Sequence, residues 1–260
     1  MTRDEYKAFL ENNVFRVDTY GQFKLMFELF EKLNAQEIGT VGLLERSYIY
    51  SGRSIFSALL EKKLTRVIDY KPETGMHRSG FQSSWLDKVP MNFEVATSQI
   101  LDTGSEYEHT NLPDDLDTLL IPNVLHHCRD FREIIELLLD NNISLTRIFI
   151  FDSYIREQHQ YPDDFCRYTV PALDVVMRKF GFKKIDEAEY GNIFDGMLYF
   201  IEQASVILEH NSELSIVNEK IKEIVPILKT VSEKSEYRSL GRPHASYASA
   251  YTVSYCREAK

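Results

Sequence analysis

Four short stretches of this chain hold residues whose types and spacing could do chemistry. Glu45 precedes the turn Arg46-Ser47-Tyr48-Ile49-Tyr50-Ser51-Gly52; Asp69 and Tyr70 close a later apolar run; Asn123, His126 and His127 sit in NVLHHC; and Asp164, Arg167 and Tyr168 sit in PDDFCRYT. A carboxylate accepts two donors at once, which suits Asp69 to a pair of hydroxyls. An imidazole exchanges a proton near neutral pH, and successive residues on a turn point in different directions, so one of His126 and His127 would face a pocket while the other packs or caps. A guanidinium grips a carboxylate or phosphate in a two-pronged contact, which suits Arg167 to an acidic ligand. Each residue has a plain structural alternative. Asp69 can cap a turn, Glu45 can end a strand at the surface, either histidine can be structural, and Asp164 can pair with Arg167 and cap the helix that opens near Thr169.

The elements that must position these residues alternate. Thr40 to Leu44 is a short apolar run suited to a buried strand, Ser54 to Lys63 has helical spacing, and Leu64 to Asp69 is a second strand. Strand, helix and strand within ~30 residues make a βαβ unit, which demands a parallel sheet and a right-handed crossover. Phe93 to Ala96 is a third strand, Asp117 to Pro122 a fourth, and Phe131 to Asp140 a helix behind it. TRIFIFDSY is an unbroken β-branched and aromatic run, placed as a central strand covered on both faces. Pro171 to Phe180 is an amphipathic helix stopped by Gly181. FKKIDEAEY and GMLYFIEQA read as an antiparallel pair at one edge, Ser215 to Glu233 as a helix, and the final tail as a weak strand.

The predicted fold is therefore α/β: a doubly wound, mostly parallel, seven-stranded Rossmann-like sheet with an antiparallel edge hairpin and helical additions at both ends. The expected division is an N-terminal helical lid over 1–35, a cofactor-binding domain over 36–205, and a C-terminal helix and tail over 206–260. Sheets of this kind bind ligands beyond the carboxyl ends of their strands, where strand order reverses. That rule directs attention to Glu45 to Gly52, Asp69 to Pro72, Ser98 to Asp102, Asn123 to His127 and the loop after Asp152.

Charge and composition remove several classes of function. A formal net charge of −10 repels phosphate backbones and anionic lipid, and no basic run is long enough for a nucleic-acid patch. No nucleic acid or membrane partner is expected. Cys128, Cys166 and Cys256 are odd in number and widely spaced, which fits neither a disulfide framework nor a metal site. His77 has no partner at metal-ligand spacing, and no metal is expected. The reducing cytoplasm is the expected compartment, and self-association stays open.

Four features in order resemble the class I S-adenosylmethionine-dependent methyltransferases, especially the small-molecule branch. They are Glu45 after the first strand, Asp69 with Pro72 after the second, NVLHHCRD after the fourth, and Pro162, Asp164, Arg167, Tyr168 and Thr169 after the fifth. The resemblance spans roughly residues 39–203. It implies S-adenosyl-L-methionine as cofactor, held by Glu45, Ser47, Tyr48, Gly52, Asp69, Tyr70 and Asn123. It further implies catalysis by His126 or His127 and substrate binding by Asp164, Arg167 and Tyr168. The acceptor would be an oxygen or nitrogen of a small polar molecule, a sugar or an acidic metabolite, and Arg16, Tyr20 and Phe23 would belong to the lid.

One departure stands out. The turn SYIYSG carries a single glycine, Gly52, and two tyrosines where the family is glycine-rich. Glycines let backbone approach the ligand and let helix pack close to strand, both of which a Cβ obstructs. The turn implies either a modified cofactor pocket or a methyltransferase-like protein that binds or scaffolds without catalysis. A nicotinamide-dependent enzyme is a third reading, which the lack of GxGxxG disfavours.

Overall fold

The computed structural model describes residues 41–45, 64–72, 96–102, 107–110, 116–122, 124–141, 144–155, 164–209, 214–232 and 248–258. Eight strands form one sheet: β1 (Val41–Glu45), β2 (Leu64–Pro72), β3 (Ala96–Asp102), β4 (Tyr107–Thr110), β5 (Thr118–Pro122), β6 (Arg147–Ser153), β7 (Lys183–Tyr190) and β8 (Ala250–Cys256). Their spatial order is β4-β3-β2-β1-β5-β6-β8-β7. β3, β2, β1, β5 and β6 are mutually parallel. β4 runs antiparallel to β3, and β8 runs antiparallel to both β6 and β7.

The parallel centre agrees with the sequence reading and its margins correct it. The sheet has eight strands among the described residues rather than seven, with the unforeseen β4 on one edge. The expected edge hairpin is absent there, because GMLYFIEQA lies inside helix α3 (Ile193–Glu209). The partner of β7 is instead β8, from the tail that was set apart as an addition to the fold. The third strand begins at Ala96, where it was expected to end. The proposed lid over 1–35, with Arg16, Tyr20 and Phe23, lies outside the described residues.

Three further helices complete the description: α1 (Phe131–Asn141), α2 (Val170–Lys179) and α4 (Ser215–Ser232), the last packed on α3. α1 and α2 turn Phe131, Ile134, Ile135, Leu138, Val170, Leu173 and Met177 into one core. Alternate residues of the sheet meet them there: Leu119 and Ile121 of β5, Ile148 and Ile150 of β6, and Tyr251, Val253 and Tyr255 of β8. The other alternate set of β5 and β6, including Leu120, Phe149 and Phe151, is buried too, so both faces of these strands are covered. α2 ends as expected, with Gly181 at φ 80° and the Phe182 amide donating back to the Met177 carbonyl at 3.1 Å.

Candidate functional site

β1 lies between β2 and β5, so the chain builds outward on one side through β2 and β3 and on the other through β5 and β6. Strand order reverses at the β1/β5 boundary, and a crevice opens beyond the carboxyl ends of such neighbours. Glu45 is the last residue of β1, and Asp69 is its register partner on β2, so the two carboxylate-bearing positions stand side by side at this edge. β2 continues past Asp69 to Pro72, with Tyr70 level with Ile100 of β3. Ser47, Tyr48, Gly52 and Asn123 lie outside the described residues, as does His77.

β5 leads into a 3-10 turn, Leu125–His127, which carries both histidines. His126 and His127 are each only 1% exposed, with ring centroids 4.0 Å apart. His126 Nδ1 is 3.4 Å from Asp152 Oδ1, near the end of the neighbouring strand β6. Asp152 is itself buried, and its Oδ1 also accepts the Ser153 amide at 2.8 Å. Across β8, Tyr251 is the register partner of Asp152; burial first, then the Asp152 charge, raise its phenol well above the usual tyrosine range.

The segment 164–169 is fastened to this turn. The Phe165 amide donates to the His126 carbonyl at 2.8 Å, and the Cys166 thiol points at the Leu125 and Cys128 carbonyls at 3.7 and 3.8 Å. Arg167 and Asp164 pair two-pronged, with Nη2 2.9 Å from Oδ2, and Nη1 also donates to the Cys166 carbonyl at 2.7 Å. The alternative in which these two residues pair with each other is thus the observed arrangement. Thr169 occupies the N-cap position of α2 with Pro171 just behind it, and its side chain makes no capping hydrogen bond. Tyr168 turns toward α1, where its hydroxyl accepts the Phe131 amide at 3.5 Å and its ring meets the Phe131 ring edge-on.

A cavity of about 860 Å³ opens next to Arg167, bounded by Tyr154, the start of α2, β7 and α3. It lies within the range of small-molecule sites. Asp152, Tyr154 and Glu189 were not singled out from sequence. Asp152 had a signal, an acid ending a buried apolar strand, but its histidine partner comes from a different strand end. Among the described residues, no group of three His, Cys, Asp or Glu side chains could hold a metal ion, and no helix is long and apolar enough to cross a membrane.

No family model matches the chain, and no curated protein matches it. Solved structures resemble it at low identity. A phosphoethanolamine N-methyltransferase 2 from Haemonchus contortus, bound to phosphomonomethylethanolamine and S-adenosylhomocysteine, is 11% identical, covering 91% of this chain and 52% of its own, at TM-score 0.43. This chain therefore spans about half the length of that enzyme. A protein from Galdieria sulphuraria assigned as a sarcosine dimethylglycine methyltransferase is 12% identical, covering 93% and 86%, at TM-score 0.49. A SAM-dependent methyltransferase from Thiobacillus denitrificans, bound to S-adenosylhomocysteine, is 11% identical, covering 89% and 91%, at TM-score 0.42. At these levels the likeness assigns neither activity nor ligand to this chain.

Proposed function

We propose that the chain is an S-adenosylmethionine-dependent methyltransferase acting on an oxygen or nitrogen of a small polar molecule, a sugar or an acidic metabolite. The observation that carries this reading is the β1·β2 register, which sets Glu45 beside Asp69 at the carboxyl edge, next to the β1/β5 boundary where strand order reverses. Two acidic positions at that edge suit a ligand with a hydroxyl pair on one part and positive charge on another. In this reading Asp69 holds the ribose hydroxyls, Glu45 faces the charged amino-acid end, and Ser47, Tyr48, Gly52, Tyr70 and Asn123 complete the pocket. The bound cofactor supplies a methyl group on a sulfonium, activated for in-line displacement.

The chain's own residues then align the acceptor and take its proton. In this reading His126, whose Nδ1 lies 3.4 Å from Asp152 Oδ1, or His127 is the base. Arg167 lies at the cavity wall and orients an acidic group, its own charge already matched by Asp164. Burial of both imidazoles favours a second reading, a methyltransferase-like protein that binds without catalysing.

Thermal-shift titration with S-adenosylmethionine and S-adenosylhomocysteine tests the proposal. Saturation to a hundred times Kd stabilises a folded protein by about 2.7 kcal/mol, a rise of roughly 5–10 °C for a chain of this size. Asp69→Ala is expected to abolish that rise. No shift at millimolar ligand sinks the reading, and a shift with NADH instead would point to the nicotinamide class. A shift without formation of S-adenosylhomocysteine, over a panel of sugars, acids and amines, supports the non-catalytic reading.

A further inference from the structure

Helix α4 carries two apolar stripes. Ile221, Val225 and Leu228 are half-buried or buried, as suits a helix packed on α3. Ile216, Val217, Ile224 and Ile227 are instead 78, 44, 42 and 62% exposed, on a face where a solvated helix is normally polar. Val217, Lys220, Ile224, Ile227 and Val231 follow one another at steps of three, four, three and four residues, the a/d spacing of a helix that pairs with another helix. The apolar members are all β-branched. Such side chains hold one χ1 rotamer in a helix, so covering them sacrifices little freedom. Pro226, inside the same helix, falls outside this spacing.

Lys220 selects what such a stripe can pair with. It is held by Glu223, one turn further along, at 2.7 Å, and both side chains are largely exposed. Two copies of α4 running in the same direction would set Lys220 against Lys220, a like-charge contact. Running in opposite directions they set Val217 against Ile227 and Lys220 against Ile224. The lysine stem then covers the isoleucine, and its ammonium lies between the Glu223 carboxylates of both copies. α4 holds three lysines and two glutamates in a chain of formal net charge −10, so this is a face on which two copies repel each other little. Covering the stripe removes roughly 500 Å² per copy, about 1,000 Å² in all, the lower bound of a specific interface. That area suits a weak, reversible dimer.

We propose that the Ile216, Val217, Ile224 and Ile227 face of α4 is a self-association surface, on which a second copy of this chain docks its own α4 antiparallel about a two-fold axis. The contact is isologous, so it closes at two copies and does not propagate. It is independent of the methyltransferase reading, because α4 contributes none of the residues assigned to that site.

Sedimentation velocity of the full chain, over roughly 1 to 200 μM, tests it. A reversible monomer–dimer equilibrium with Kd on the order of tens of micromolar is expected. Ile227→Asp should weaken it about tenfold or more, by placing a carboxylate against Val217 of the other copy. Lys220→Glu should weaken it about fivefold, and adding Glu223→Lys to that variant should restore it to within about twofold. Ile185→Asp, at an apolar residue of β7 that is 57% exposed, should leave the dimer unchanged. Circular dichroism and urea midpoints check that each variant folds; if Ile227→Asp does not, Ile216→Asp takes its place. A chain that stays monomeric to 200 μM, a dimer that survives Ile227→Asp or is indifferent to Lys220→Glu, equal weakening by Ile185→Asp, or growth beyond two copies would each overturn the proposal.

Discussion

Cys166 sits where ionisation of its thiol is opposed. Burial first, then the nearby Asp152 charge, push it up to about 11. Alkylation requires the thiolate, so at pH 8 its reaction with iodoacetamide should run about a hundredfold slower than for the same cysteine in the urea-unfolded chain. Mass spectrometry of the peptide containing Cys166 measures this, and equal rates folded and unfolded would refute it. The sign for stability follows from proton counting. The folded state keeps this proton at a pH where the unfolded chain has lost it, so the Cys166 contribution is intact below about 9 and is lost as pH rises toward 11. Urea midpoints of the unaltered chain and of Cys166→Ala should converge over that window. Asp164 and Arg167 show what local sequence reveals at this scale, since they stand three positions apart and their pairing could be proposed from spacing alone. The contact of His126 with Asp152 could not, because it forms only when two strands with a helix between them lie side by side.

Two glycines with nearly the same backbone separate strain from crowding at the level of elements. Gly181, after α2, has φ 80° with nothing within 4 Å of a built Cβ; Gly191, between β7 and α3, has φ 81°, and its Cβ would stand 2.2 Å from Ser249 Oγ. Gly181→Ala should cost about 1 kcal/mol from conformation alone. Gly191→Ala should cost about 2–3 kcal/mol, because Ser249 is buried and also ties Tyr190 to Tyr154 through its backbone. Chemical denaturation measures both, and equal losses would mean that Ser249 moves aside freely. The stop at Gly181 was legible because a glycine after an amphipathic run is a local signal. α3 was misread for a physical reason. Ile193, Met197 and Phe200 put apolar side chains on an exposed face, which erases the contrast that marks a helix and leaves a run that passes for a buried strand.

At the scale of the whole molecule the decisive event is the return of the chain's last strand to the sheet. β8 inserts between β6 and β7 and is antiparallel to both, so β7 is held to the rest of the sheet through a strand that follows it only after α3 and α4. Nothing in AYTVSYC announces those neighbours: pairing across such separations is set by the fold and not by local preference. Six consecutive residues of β8, Ala250 to Tyr255, are buried, and Tyr255 donates its hydroxyl to Asp174 of α2 at 2.8 Å. Burying the Tyr251, Val253 and Tyr255 side chains removes roughly 500 Å² of mostly apolar surface from water, worth about 12 kcal/mol. That is of the same order as the whole stability of an ordinary domain, about 5–15 kcal/mol. A chain shortened to residue 247 should therefore fail to fold cooperatively, and the exposed edge of β6 should drive it to aggregate. Size-exclusion chromatography and a urea transition decide the point. A monomeric product with a sharp transition close to that of the full chain would show that residues 1–247 carry the fold unaided, and that the sheet gains little from its last strand.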